Sequence, residues 1–136
     1  MSRQVAWRVA RLVVDANVVI ALFDERDVLH PKAKDALRGA RSDDLELPAS
    51  AYAELLVGAF RAGGDRSSEM DEALAAIPIT IVPLTAEIAR TAARLRASSA
   101  SLRLADALAL ATATARGASL LTGDQRLARH RGVRLL

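Results

Sequence analysis

Arg11-Leu12-Val13-Val14-Asp15-Ala16-Asn17-Val18-Val19-Ile20-Ala21-Leu22-Phe23 passes from a short β-branched run through an acid into apolar residues suited to a helix. It reads as a strand over Arg11–Val14 that stops at Asp15, followed by a helix over Val18–Phe23. The same order returns late in the chain, where the strand Ala118–Thr122 is ended by Gly123-Asp124. Between these lie a helix opened by His30-Pro31 and running to Leu37, a strand Leu45–Leu47, helices over Ala51–Arg61 and Ser67–Ala76, and a strand Ile79–Val82. Thr85 caps a helix to Ala97, the loop Ala97–Ser101 follows, and the next helix carries Asp106 and stops before Gly117. A short helix Gln125–His130 leads into a last strand over Val133–Leu136. Five short strands alternating with helices indicate an α/β sandwich around a mainly parallel sheet. Two helices fall between strands two and three and again between three and four, so strand order stays open.

The chain has 136 residues and nothing in it resembles a linker or a repeat, which predicts a single domain over 1–136 with a core of its own. Residues 1–10 read as a basic N-terminal arm. No apolar run approaches the ~20 residues of a membrane span, and the N-terminus lacks the apolar stretch of a signal peptide. Cysteine is absent, which excludes disulfides and thiolate metal sites. A cytoplasmic protein is expected. Aromatics make up only 3% of the chain, which argues against recognition by base stacking. Net charge is +3 but uneven: residues 88–136 hold nine arginines against two carboxylates. That asymmetry suggests a polyanionic partner, although abundant arginine also has a compositional explanation.

Those two carboxylates are Asp106 and Asp124. Asp106 is the only charged residue between Leu104 and Ala115. Burying it alone costs several kcal/mol, about what a whole domain has to spare. Ligands of open parallel sheets bind beyond the carboxyl ends of the strands. Asp15 and Asp124 follow two such ends, Glu54 falls early in the helix after strand two, and Asp106 lies in the first turn of its own helix. Four acids gathered there repel one another unless a cation neutralises them, and oxygen-only ligands favour Mg²⁺ or Mn²⁺ over zinc. Each acid also has an ordinary reading: Asp15 and Asp124 as helix caps, Glu54 and Asp106 as partners of a helix dipole. Asn17 and Thr122 are supporting residues that orient the carboxylates. There is no glycine-rich phosphate loop, and His30 and His130 fit no metal motif. Arg126, Arg129, Arg131 and Arg134 read as a solvated face or as a phosphate track.

Val13-Val14-Asp15-Ala16-Asn17-Val18, Ala53-Glu54-Leu55, Leu102–Leu108 and Leu121-Thr122-Gly123-Asp124, in that order, resemble the PIN-domain ribonucleases, most closely the VapC-type toxins of bacterial toxin–antitoxin pairs. The resemblance implies a three-layer α/β/α sandwich, a Mg²⁺- or Mn²⁺-dependent endoribonuclease acting on an RNA substrate, a cognate VapB-type antitoxin as partner, and a homodimer. It places the catalytic acids on Asp15, Glu54, Asp106 and Asp124, with Asp15, Asp106 and Asp124 holding metal. Asn17 stands where the family often has Thr or Ser, and Gly123 where a larger polar residue is common.

The expected chemistry is metal-assisted phosphodiester hydrolysis, with arginines of the basic half on flanking phosphates. Two rivals remain. A non-catalytic RNA-binding or scaffold protein on the same fold is disfavoured by the presence of all four acids. An aspartyl phosphoacceptor or phosphotransferase needs either a lysine after a late strand or a second aspartate two residues beyond Asp15; the only lysines are Lys32 and Lys34, and that second position is Asn17.

Overall fold

The computed structural model describes residues 11–38, 45–77 and 79–136, so the basic arm read at 1–10 lies outside the described residues. In chain order the elements are β1 (Leu12–Val14), α1 (Ala16–Phe23), α2 (His30–Arg38), β2 (Leu45–Pro48), α3 (Ala49–Ala62), α4 (Arg66–Ala76), β3 (Thr80–Val82), α5 (Ala86–Ser98), α6 (Leu104–Arg116), β4 (Ser119–Thr122) and β5 (Val133–Leu135). The five strands form one sheet in the order β3-β2-β1-β4-β5, and every pairing is parallel. Val13 aligns with Glu46 on one side and Leu120 on the other.

Strand alternation divides the core between the two faces. Leu12, Val14, Leu45, Leu47 and Leu121 join Val18, Val19, Ala51, Leu55 and Leu74 from α1, α3 and α4. Val13 and Leu120 point the other way and pack with Ile88 and Ala92 of α5 and with Ala107, Leu110 and Ala111 of α6. With helices on both faces, β1 is fully buried and reads as a continuous apolar run. Each fully buried Val or Leu contributes roughly 1.5–3 kcal/mol. Glu46 breaks the pattern. It is buried on the α6 side, where its carboxylate accepts bonds from Arg116 Nε at 3.0 and 3.1 Å and from Nη2 at 2.6 Å. This clamp ties β2 to the last turn of α6, just before Gly117 ends that helix in the left-handed region at φ 61°.

The strand order left open by the sequence follows from the direction of winding. The chain moves outward from β1 through β2 to β3, then returns through α5 and α6 to place β4 against the free side of β1. The direction therefore reverses between β1 and β4, and the crevice beyond their carboxyl ends is where such a sheet offers room for a ligand. Some boundaries differ from the sequence reading. α1 begins at Ala16 rather than Val18, because the Asp15 carboxylate accepts the Ala16 N–H at 2.9 Å. α3 begins at Ala49, directly after Pro48. The helix expected over Gln125–His130 is a single 3-10 turn, Gln125–Leu127, since the chain must turn at once into β5. Among the described residues no helix is long and apolar enough to cross a membrane.

Candidate active site

Asp15 follows the last residue of β1 and is 8% exposed. Its Oδ1 accepts the Ala16 N–H, and its Oδ2 accepts the Thr122 hydroxyl at 3.0 Å and the Asn17 amide at 3.4 Å. Thr122 ends β4 and is fully buried. Its Oγ1 also accepts the Asp124 N–H and the Asn17 amide, each at 3.1 Å. Asn17 in turn accepts the Gly123 N–H at 2.8 Å through Oδ1. Asn17 and Thr122 thus stitch the ends of β1 and β4 together and hold the Asp15 carboxylate between them. Gly123 packs closely here: a Cβ would stand 2.7 Å from a Leu29 methyl and 3.5 Å from Asn17 Oδ1. A larger residue at that position would have to displace Leu29.

The other acids come from the surrounding elements. Asp124 caps the 3-10 turn by accepting the Arg126 N–H at 2.9 Å. The Arg126 side chain grips the same carboxylate, with Nη2 2.5 Å from Oδ2. Asp106, in the first turn of α6, is not the unpaired carboxylate that its apolar sequence surround suggested. Arg103 Nε stands 3.6 Å and Arg126 Nη2 3.7 Å from its Oδ2, both arginines reaching in from exposed positions. Neither approach is a hydrogen bond. Asp106 Oδ2 is the one buried side-chain polar atom among the described residues that lacks a hydrogen-bond partner. Glu54 lies beyond the first turn of α3 and is exposed, so it does not complement that helix's dipole as its sequence position suggested. It lines a groove of about 740 Å³ together with Ile20, Phe23, Met70, Arg66 and Glu69.

Electrostatics show that the acids share a field. Burial pushes the Asp15 carboxyl up, the Thr122 and Ala16 hydrogen bonds pull it back, and the charges of Asp106 and Asp124 raise it further. Partial desolvation raises Glu54, as do the charges of Asp15 and Asp106, against the opposing pull of Arg103. Asp124 is held below the usual carboxylate range, chiefly by its hydrogen bond to Arg126. Among the described residues no three acids or histidines stand close enough as they lie to bond one ion together. Arginine supplies part of the neutralisation instead. Arg103 had no role in the sequence reading and Arg126 was read as part of a solvated face or a phosphate track; the spacing of three residues between Arg103 and Asp106 was the available signal.

By its chemistry the donor set would suit a hard divalent cation, provided the acids drew closer together than they lie here. It consists of carboxylate oxygens, one of them buried and unbonded, held among like charges at a sheet edge. Asp15, Asp106 and Asp124 are the residues that would hold it.

An all-parallel sheet flanked by helices, with a carboxylate cluster where its winding reverses, defines the molecule as an α/β sandwich of PIN-like fold. The sequence matches the PIN domain family over residues 12–133, and the chain belongs to that family. No curated protein matches it. Solved structures do. A toxin–antitoxin complex from Klebsiella pneumoniae is 28% identical, with a TM-score of 0.75 over 92% of this chain and 96% of that one. VapC20 from Mycobacterium tuberculosis, described as a sarcin–ricin loop cleaving toxin, is 18% identical with a TM-score of 0.70, covering 90% of this chain and 98% of that one. FitAcB from Neisseria gonorrhoeae is 22% identical with a TM-score of 0.67, covering 83% and 87%. The last two show a shared fold.

Proposed function

We propose that the protein is a Mg²⁺- or Mn²⁺-dependent endoribonuclease and the toxin of a toxin–antitoxin pair, with a VapB-type antitoxin and a second copy of itself as protein partners. The observation that carries this reading is the buried, unbonded Oδ2 of Asp106 beside the coupled carboxylates of Asp15 and Asp124. Leaving such an atom unsatisfied costs about 1–3 kcal/mol, more for a charged group, and a protein that keeps it uses it. Membership of the PIN family and likeness to structures described as toxins support the same reading.

In this mechanism Asp15 is the fixed member, its geometry set by Thr122 and Ala16 before any ligand arrives. Asp106 and Asp124, which Arg126 engages in this structure, would join Asp15 in holding the cation. A bound divalent ion supplies Lewis-acid activation of water and offsets charge on the phosphate. Glu54, raised by its surroundings and open to solvent, takes the proton of the attacking water. Arg103 and Arg126 then stand beside the phosphate and stabilise its developing charge. A labelled RNA incubated with the full chain and Mn²⁺ is expected to be cut internally, and excess EDTA is expected to stop the reaction. Undiminished cutting in EDTA would discard the metal mechanism.

A further inference from the structure

A second concavity adjoins the acids. It is a cleft of about 290 Å³ bordered by Ser101, Leu102, Asp106, Arg126, Leu127, Arg129 and His130. Its apolar base is Leu102 and Leu127, both buried, and its walls are polar. The two cationic walls differ. Arg126 is engaged by Asp124 and Asp106. Arg129 forms no ion pair among the described residues; its Nη2 donates only to the Ser101 hydroxyl, at 3.3 Å. That bond spans the cleft between the loop before α6 and the turn after β4, so the arginine is held over the opening by a neutral group. No aromatic residue borders the cleft, which removes base stacking as its mode of grip.

We infer that this cleft is a phosphate subsite, in which Arg129 with Ser101 and His130 takes the RNA phosphodiester next to the one held at the acids. The inference rests on the nuclease reading for its substrate. Asp106 borders this cleft and shares Arg126 with Asp124, so a strand whose phosphorus lay among the carboxylates would pass Arg129. A planar guanidinium offers a paired donor geometry suited to a phosphodiester, and a serine hydroxyl beside it adds a further donor. Recognition is through the backbone, so this position is expected to tolerate any base.

The experiment is fluorescence anisotropy of a labelled single-stranded RNA octamer with the full chain in EDTA, where nothing is cut, across a salt series. Arg129→Ala is expected to weaken binding roughly tenfold and to shrink the salt slope by about 0.7, the loss of one phosphate contact. Arg129→Lys is expected to keep the slope. Arg131→Ala removes the same charge from an exposed site outside the cleft and is expected to change binding by less than about twofold. Equal losses in Arg129→Ala and Arg131→Ala, or no loss in either, would overturn the subsite in favour of a merely solvated basic face. A chain that binds the octamer with these differences yet leaves RNA intact in Mn²⁺ would overturn the nuclease reading while the subsite stands. Where cutting occurs, a neutral methylphosphonate one linkage from the mapped cut should raise KM for the wild-type chain and leave Arg129→Ala unaffected. Additive losses count against the assignment.

Discussion

The two ends of α6 treat neighbouring carboxylates in opposite ways. At its C-terminal end Arg116 meets Glu46 with three short hydrogen bonds, and nothing is left over. At its N-terminal end Asp106 has two arginines within ion-pair range and a hydrogen bond from neither. One helix therefore carries a closed pair that secures the fold and an open one that is available to a ligand. Completeness of hydrogen bonding is what distinguishes the two pairs, and under the proposed function it would separate a structural charge from a catalytic one.

The sharpest way to break this contrast is to neutralise each acid in turn. Asp106→Asn is expected to lower RNA cleavage on the order of 10³-fold or more while leaving the thermal midpoint unchanged or raised, because a like charge has been removed from the cluster. Cleavage near wild-type levels in that variant would mean that the unsatisfied oxygen has no catalytic role. Glu46→Ala should do the reverse. It is expected to cost about 2 kcal/mol in denaturant unfolding, since the partly exposed Arg116 turns to water once its partner is gone, with activity per folded molecule retained. Loss of activity without loss of stability would place Glu46 in the site instead.

A gentler test uses pH. Asp15 and Glu54 are raised in the folded protein, so the native state holds its protons longer than the unfolded chain does. Their contribution makes metal-free stability fall as pH rises from the ordinary carboxylate range, about pH 4, through the raised values. Asp124, lowered, works in the other direction: its contribution is present above the ordinary range and is lost as pH falls through its depressed value. Thermal midpoints measured in EDTA should therefore decline less with pH in Asp15→Asn than in the wild type. Parallel profiles would show that Asp15 is not under strain. The smallest effect expected is at Arg126, whose side chain is half exposed. Arg126→Ala is expected to tighten Mn²⁺ binding a few-fold by calorimetry, because the guanidinium no longer competes for Asp124 and Asp106. Weaker binding would show that the arginine organises the acids rather than occupying them.

Much of this arrangement was legible because it is local. Asp15 after Val14 and Asp124 after Thr122 mark strand ends by residue type alone, and the apolar run around Asp106 set that residue apart. Strand order was not legible, because register among five short parallel strands is fixed by packing between distant segments. Glu46 was passed over as one residue of a strand. Its place between two leucines in a short strand buried on both faces was the sign of an acid in need of a partner, and Arg116 closing an otherwise apolar helix was the other half of that sign. Arg103 escaped notice, and Arg126 was not matched to Asp124 or Asp106, because arginine is common throughout the second half of the chain, where no single one stands out.

The hydrogen bond from Thr122 to Asp15 joins residues 107 positions apart. A growing polypeptide thus makes its first acid long before the threonine that orients it, and until β4 is made β1 lacks its parallel neighbour on that side. Any intermediate that stops short of Ser119 therefore holds Asp15 without the hydroxyl that fixes its Oδ2.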